Sequence, residues 1–153
     1  MSFAKDTWGN NVWYLFHTIA EKIKDDEFNN IKDDIFFVIK TVSTNLPCPE
    51  CSSDANALLN KVDFNNIKNK DDLKTLLFNF HNQVNKKLNK PMFDKEELDK
   101  KYATANIHSL YNNFFIIFSS NSNVPQLMSA SFHRQHNLPK IRICLNKILT
   151  KID

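Results

Sequence analysis

The chain has 153 residues, of which 42% are hydrophobic and 24% charged, with a formal net charge of +3. This length suits one domain with a sizeable core, and positive charges interleaved with acids give little support for nucleic-acid binding. A single glycine, Gly9, leaves no material for a glycine-rich phosphate loop, which excludes Rossmann and P-loop nucleotide sites.

The spacing predicts a first helix from about Trp8 to Lys24, with Asp6 or Thr7 as cap and Val12, Phe16, Ile19 and Ile23 at helical intervals. A second amphipathic helix is expected over 29–43, carried by Ile31, Ile35, Val38, Ile39 and Val42 and ended by Pro47. A third helix is expected from Cys51 to Lys61. A fourth runs from about Leu73 to Asn89, capped by Asp71 or Asp72 and closed by Pro91, and a short fifth from Asp94 to about Tyr102. Beyond Ala105 the pattern weakens: 107–119 has mixed periodicity, 119–131 reads as a Ser/Asn-rich loop, and Pro139 to Ile152 as a last amphipathic helix. The expected architecture is all-α, with a patterned core over residues 1–105 and a C-terminal extension over 106–153.

The N-terminus lacks an apolar signal region, and the longest apolar run, Phe114 to Phe118, is far too short to span a bilayer. A cytoplasmic chain with no membrane anchor is expected. Two of its three cysteines, Cys48 and Cys51, form a CxxC pair and Cys144 stands apart. In such a compartment a close pair reads as redox or metal chemistry before a structural staple. Placed near a helix N-terminus, it can close a small disulfide ring and have its thiolate stabilised by the helix dipole. A zinc site completed by His133 and His136 is the competing reading. A thioredoxin-like owner needs strands and a βαβ unit, which the pattern does not supply. Cys144 reads as a small buried hydrophobe on the last helix.

Two further constellations flank the pair. On the fourth helix Phe80, Val84 and Leu88 form an apolar stripe, beside which His81, Asn82 and Asn85 line a polar one. His and Asn inside a helix are unfavourable by propensity and need hydrogen-bond partners when buried. Lys87 and Lys90 at the helix end could meet phosphate oxygens, although a solvated polar face explains the same spacing. On the first helix Gly9, Trp13 and His17 are four apart and share one face; a mid-helix glycine hints at close approach by something flat. Taken singly, Trp13 and His17 read equally well as ordinary core.

Together the three segments resemble the Erv/ALR family of FAD-linked sulfhydryl oxidases. The family pattern is a WGxxxW…HT segment, a Pro-Cys-x-x-Cys and an HNxVNxxLxKP segment. The chain supplies Trp8-Gly9…Trp13…His17-Thr18, then Pro47-Cys48-Pro49-Glu50-Cys51, then His81-Asn82…Val84-Asn85…Leu88…Lys90-Pro91. This resemblance implies a four-helix bundle plus a short fifth helix, FAD held in the bundle, and a homodimer. It also implies that Gly9, Trp13 and His17, with His81, Asn82, Val84, Asn85, Lys87, Leu88 and Lys90, bind the cofactor. Tyr102 falls where some members place a tryptophan against the flavin, Lys5 would approach from the N-terminal side, and Asp54 matches some members where others carry histidine. Cys48 and Cys51 would form the catalytic disulfide, with a substrate thiolate attacking Cys48, Cys51 facing the flavin, and oxygen reduced to hydrogen peroxide.

Three cysteines cannot supply the second structural disulfide or the shuttle disulfide of many members, so electrons should come directly from a thiol-containing partner protein. The short Leu-Pro-Cys-x-x-Cys form and the Asn/Lys-rich composition look most like versions carried by large nucleocytoplasmic DNA viruses. These imply a virion protein or thioredoxin-like carrier as substrate, in host cytoplasm or virion. The alternatives are a zinc-binding interaction module and a helical adaptor without flavin.

Overall fold

The computed structural model describes residues 5–120 and 125–152, with positions 5, 6, 125–127 and 130 described by their backbone alone. Helix α1 spans Lys5–Lys22, α2 Phe28–Ser43, α3 Pro49–Leu59, α4 Lys70–Lys87, α5 Lys95–Ala103, α6 Ile107–Phe118 and α7 Pro125–Leu149. Among the described residues there is no β-strand, only an isolated antiparallel bridge between Ile23 and Ile152. The fold is all-α, as expected.

The first five helices follow from the apolar spacing. In α2, Phe28, Ile31, Ile35, Val38, Ile39 and Val42 are all buried, which is one continuous stripe at helical period. Its end comes at Ser43, four residues before Pro47: the Thr44 hydroxyl donates to the Lys40 carbonyl at 2.8 Å and closes the last turn. Pro49 opens α3 at its first turn, where a missing N–H costs nothing, and Cys48 is the N-cap. The cap of α4 is Asn69 rather than either aspartate, its side chain accepting the Asp72 N–H at 2.8 Å. Asp72, three residues on, reaches back to accept the Lys68 N–H at 2.9 Å, so the two side chains cap reciprocally. Asp94, expected as the first residue of the fifth helix, is instead the N-cap of α5. Asp6 and Thr7, the expected caps of α1, fall inside the helix, and any cap lies outside the described residues.

The C-terminal region differs from expectation. The loop expected over 119–131 is shorter, because α7 already begins at Pro125 and continues through Pro139. Proline removes one helical N–H, but Pro139 faces solvent and the buried stripe of Arg134, Ile141, Leu145 and Ile148 runs unbroken on the other side. The Ser131 hydroxyl donates to the Ser120 carbonyl at 3.2 Å and closes the connection. Helix α6 packs on α1 and α7 on α2, while α1 also carries α4 and α5. Phe114, Phe118, Ile141, Leu145 and Ile148 belong to the same buried cluster as Leu15 and Phe16. Helices α6 and α7 thus share the core of α1–α4.

Charge reinforces this packing. From Lys100 to Ile152 the sequence holds no Asp or Glu, so the even mixing of charges expected along the chain fails there. Cations of this stretch pair with acids of the α1–α2 region instead, Lys147 with Asp34 at 3.8 Å and Lys151 with Glu27 at 3.6 Å. Such exposed pairs contribute little stability but favour one register of docking. The Lys24 N–H donates to the Lys151 carbonyl at 2.9 Å and fixes the end of the last helix beside the start of α2. Since Phe118 is fully buried against Trp8 and Phe114, Phe118→Ala should lower unfolding free energy by about 3–5 kcal/mol in chemical denaturation; a loss below about 1 kcal/mol would mean α6 is not core.

Candidate functional site

A cavity of about 500 Å³ opens between the start of α1, the N-terminus of α3, the end of α4 and the link into α5. Trp8, Gly9 and Trp13 wall one side, Val84 and Leu88 the other, and Cys48 and Cys51 reach it from α3. The two cysteines are joined by a disulfide and half-buried. The Cys48 sulfur accepts the Cys51 N–H at 3.2 Å, which is the N-cap bond of α3 made by sulfur. A thiolate formed at Cys48 would therefore meet a backbone donor and the positive end of the helix dipole. The turn ahead of it is pinned by Ser52, whose Oγ accepts the Leu46 N–H at 2.9 Å.

Behind the cavity a row of rings joins three helices. Trp13 of α1 stacks on His81 of α4, with centroids 4.0 Å apart and planes 9° off parallel. His81 Nδ1 lies 2.9 Å from His17 Nε2 of α1 in a buried hydrogen bond, and His17 stacks on Tyr102 of α5 at 4.7 Å. Both imidazoles are pushed from 6.5 down to about 3. Desolvation is the main cause in each; His81 and Lys101 add to it for His17, and Lys101 and Lys90 for His81. Both rings are therefore neutral at physiological pH, and one N–H is shared between them. Burial also raises the Tyr102 phenol.

The end of α4 is shaped by backbone geometry. Asn89, with φ of 56°, adopts the left-handed conformation after the Leu88 C-cap. The Lys90 N–H then donates to the Asn85 carbonyl at 2.8 Å and the Asn89 N–H to Lys86 at 3.3 Å, which is a Schellman closure. The chain turns sharply enough for Asn82 to hold Phe93 by both backbone groups: the Phe93 N–H donates to Oδ1 at 2.8 Å, and Nδ2 donates to its carbonyl at 3.3 Å. Phe93 in turn covers His81, with centroids 4.5 Å apart. Lys87 pairs with Asp54 at 3.0 Å, linking the end of α4 to the middle of α3 at the cavity wall.

Most residues singled out in the sequence meet here. Gly9, Trp13, His81, Val84, Asn85, Lys87, Leu88, Lys90 and Tyr102 line the cavity with both cysteines. His17 and Asn82 do not; they stand behind the wall, holding His81 and Phe93. The side chain of Lys5 lies outside the described residues. Lys101 was not singled out, yet it lines the cavity and places its ammonium 4.8 Å from the Tyr14 ring and 5.5 Å from the Tyr102 ring. Its only sequence signal was its place next to Tyr102.

The residues present fit a flavin nucleotide. A Cβ built on Gly9 would meet nothing within 4 Å, so no part of this chain requires the glycine; the room it leaves belongs to the cavity. Flat apolar walls suit a ring system, and Lys87, Lys90 and Lys101 suit phosphate oxygens. For zinc the site is poor. Cys48 and Cys51 are spent on each other, His133 and His136 are exposed on α7, and no cluster able to hold a metal occurs among the described residues.

Comparison with known proteins points the same way. The model of the Erv1 / Alr family matches residues 10–103. The chain is 29% identical over 103 residues to a putative FAD-linked sulfhydryl oxidase, 096R, of Invertebrate iridescent virus 3, covering 67% of this chain and 70% of that relative. It is 28% identical to an FAD-linked sulfhydryl oxidase of African swine fever virus (isolate Tick/Malawi/Lil 20-1/1983), covering 67% of this chain and 86% of the relative. The FAD-linked sulfhydryl oxidase ERV1 of Oryza sativa subsp. japonica is 26% identical, over 65% of this chain and 50% of its own length. No solved structure matches significantly.

The two histidines give a pH test. Their folded values near 3 lie below the unfolded 6.5, so between these limits the unfolded chain binds more protons. Stability without added ligand should be flat in this respect above about pH 7 and fall as pH drops from 6.5 towards 3. The slope of melting temperature against pH, compared between wild type and His81→Phe, measures it; an equal slope in both would sink the assignment. Asn82→Ala, which frees both backbone groups of Phe93, should cost about 1–3 kcal/mol in denaturant unfolding.

Proposed function

Given that the chain belongs to the Erv1/Alr family, we infer that it is an FAD-dependent thiol oxidase working through the Cys48–Cys51 disulfide. The observation that carries this reading is the opening of that disulfide into the same cavity as Gly9, Trp13 and the lysines. Gly9, Trp13, His81, Val84, Asn85, Leu88 and Tyr102 would hold the ring systems of FAD, and Lys87, Lys90 and Lys101 its phosphates. When bound, FAD supplies a two-electron acceptor that oxygen reoxidises with release of hydrogen peroxide. Lys5 is assigned to the cofactor by family resemblance alone.

The order of the protein's own steps is taken from the family resemblance, and the N-terminus of α3 supplies the donor that supports it. A substrate thiolate attacks the Cys48 sulfur, forming a mixed disulfide and expelling Cys51 as a thiolate on the cavity side. The second thiol of the substrate, losing its proton, attacks the substrate sulfur of the mixed disulfide. Cys48 leaves as a thiolate, stabilised by the Cys51 N–H that its sulfur already accepts at 3.2 Å. The substrate is now a disulfide and the enzyme a dithiol, two electrons richer. His17 and His81, neutral and hydrogen-bonded to one another, offer no charge to the cavity and keep its rear wall rigid.

Thiols are the electron source and oxygen the acceptor. The viral relatives support a viral setting; a virion protein or thioredoxin-like carrier as the thiol substrate, and action in host cytoplasm or virion, rest on the family resemblance. Pairing of two subunits rests on the family resemblance. No helix among the described residues is long and apolar enough to cross a membrane. The purified chain should retain the visible absorption of bound flavin after dialysis, and a colourless, zinc-containing protein would overturn the reading. Cys48→Ser and Cys51→Ser should each keep flavin but reduce oxygen consumption with dithiothreitol to background; full activity in either refutes the proposed relay.

A further inference from the structure

The family match ends at residue 103, yet one side chain from beyond it reaches the walls of the site. Arg134, in the middle of α7, is 1% exposed, the largest of the fully buried side chains. Its Nη1 donates to the Asn45 carbonyl at 3.1 Å, and its guanidinium carbon lies 4.8 Å from the centre of the Trp8 ring. Its Nε has no hydrogen-bond partner, and among the described residues no carboxylate pairs with it. A charge removed from water with this little compensation is destabilising, and an apolar side chain of similar length would serve core packing better. Something other than the core explains an arginine there.

Both groups it holds belong to the redox site. Trp8 is a wall of the cavity. That ring also meets Phe118 at 5.8 Å. Asn45 begins the turn 45–47, which leaves α2 and delivers Cys48; Leu46 and Pro47 of that turn also line the cavity. Ser52 pins the turn at Leu46 from within α3. Arg134 pins it one residue earlier from α7, so the segment leading to Cys48 is gripped from two elements at adjacent residues.

We propose that Arg134 is a positioning residue of the thiol oxidase site, through which α7 fixes both the Trp8 wall and the turn presenting Cys48. This rests on the reading of the cavity as the flavin site for its Trp8 arm, whereas the Asn45 arm concerns the disulfide alone. A guanidinium is suited to both contacts at once, since its flat face lies on the indole while an in-plane N–H meets the carbonyl. An ammonium is a point charge without that planar fork, so it holds the ring and the carbonyl in a less defined geometry.

The test uses the full chain with Arg134→Met, Arg134→Lys and, as control, Leu145→Ala, which truncates a buried core residue about three helical turns further along α7. Three quantities are measured: melting temperature, the glutathione redox equilibrium of the cysteine pair followed by thiol tagging, and visible circular dichroism of bound flavin. Arg134→Met should shift the redox equilibrium by up to about tenfold, the scale of one net hydrogen bond lost unequally from the two redox states, and change the dichroic spectrum; Arg134→Lys should fall between it and wild type. Leu145→Ala should lose melting temperature while keeping both other quantities at wild-type values. The proposal is overturned if Arg134→Met matches wild type in both, or if Leu145→Ala shifts them equally. Should Arg134→Met fail to fold, the lysine variant decides, and wild-type values in it overturn the proposal. A wild-type protein without flavin would sink the functional reading, and the glutathione equilibrium would still decide the role of Arg134.

Discussion

The hydrogen bond between His17 and His81 is the constraint around which the site is organised. It ties α1 to α4 across the core between two neutral imidazoles, one giving and one accepting. Burial enforces that neutrality, and two lysines on the cavity side reinforce it. The stacking of Trp13 on one ring and Tyr102 on the other extends the bond into a row that also locates α5. A polar pair thereby does what an aliphatic contact could not, because it fixes the rotation of each helix about its axis as well as the distance between them.

Around this row the helices leave room rather than fill it. Gly9 withholds a side chain from a space that the chain does not close by itself, and the sharp turn after α4 borders it. The disulfide sits at the border of that space on a helix N-terminus, so the field that favours its thiolate and the cavity proposed to receive its electrons meet at the same few residues of α3. Catalytic division is then geometric: the helices hold position, and the reactive groups are a disulfide and a bound cofactor.

Much of this was legible before the structure. The five helices of the patterned region follow from apolar residues at helical spacing, and Gly9, Trp13, the CxxC and the His81-to-Lys90 segment all reach one cavity. Sequence spacing could not tell lining residues from supporting ones: His17 and Asn82 share faces with cavity residues, but their side chains are taken by His81 and Phe93. The cap of α4 was misplaced because Asn69, Asp71 and Asp72 are all competent caps and only backbone geometry chooses among them. Helix α6 blurred because apolar residues occupy more than one of its sides, and α7 because a proline reads as a boundary even when it faces solvent. Arg134 was invisible, since an arginine flanked by histidines and glutamine reads as a wet surface.

The shared core of α1, α6 and α7 also bears on how this chain can be dissected. The family's span ends at residue 103, which invites trimming there. Cut at that point, the remainder would bare the outer face of Trp8 and the apolar stripes of α1 and α2 that now meet Phe118, Ile141 and Leu145. Exposed apolar surface of this extent seeks other apolar surface. The shortened protein would be a sticky one, self-associating before its chemistry could be assayed. What reads in sequence as an appendage is, in the folded chain, the lining of its coat.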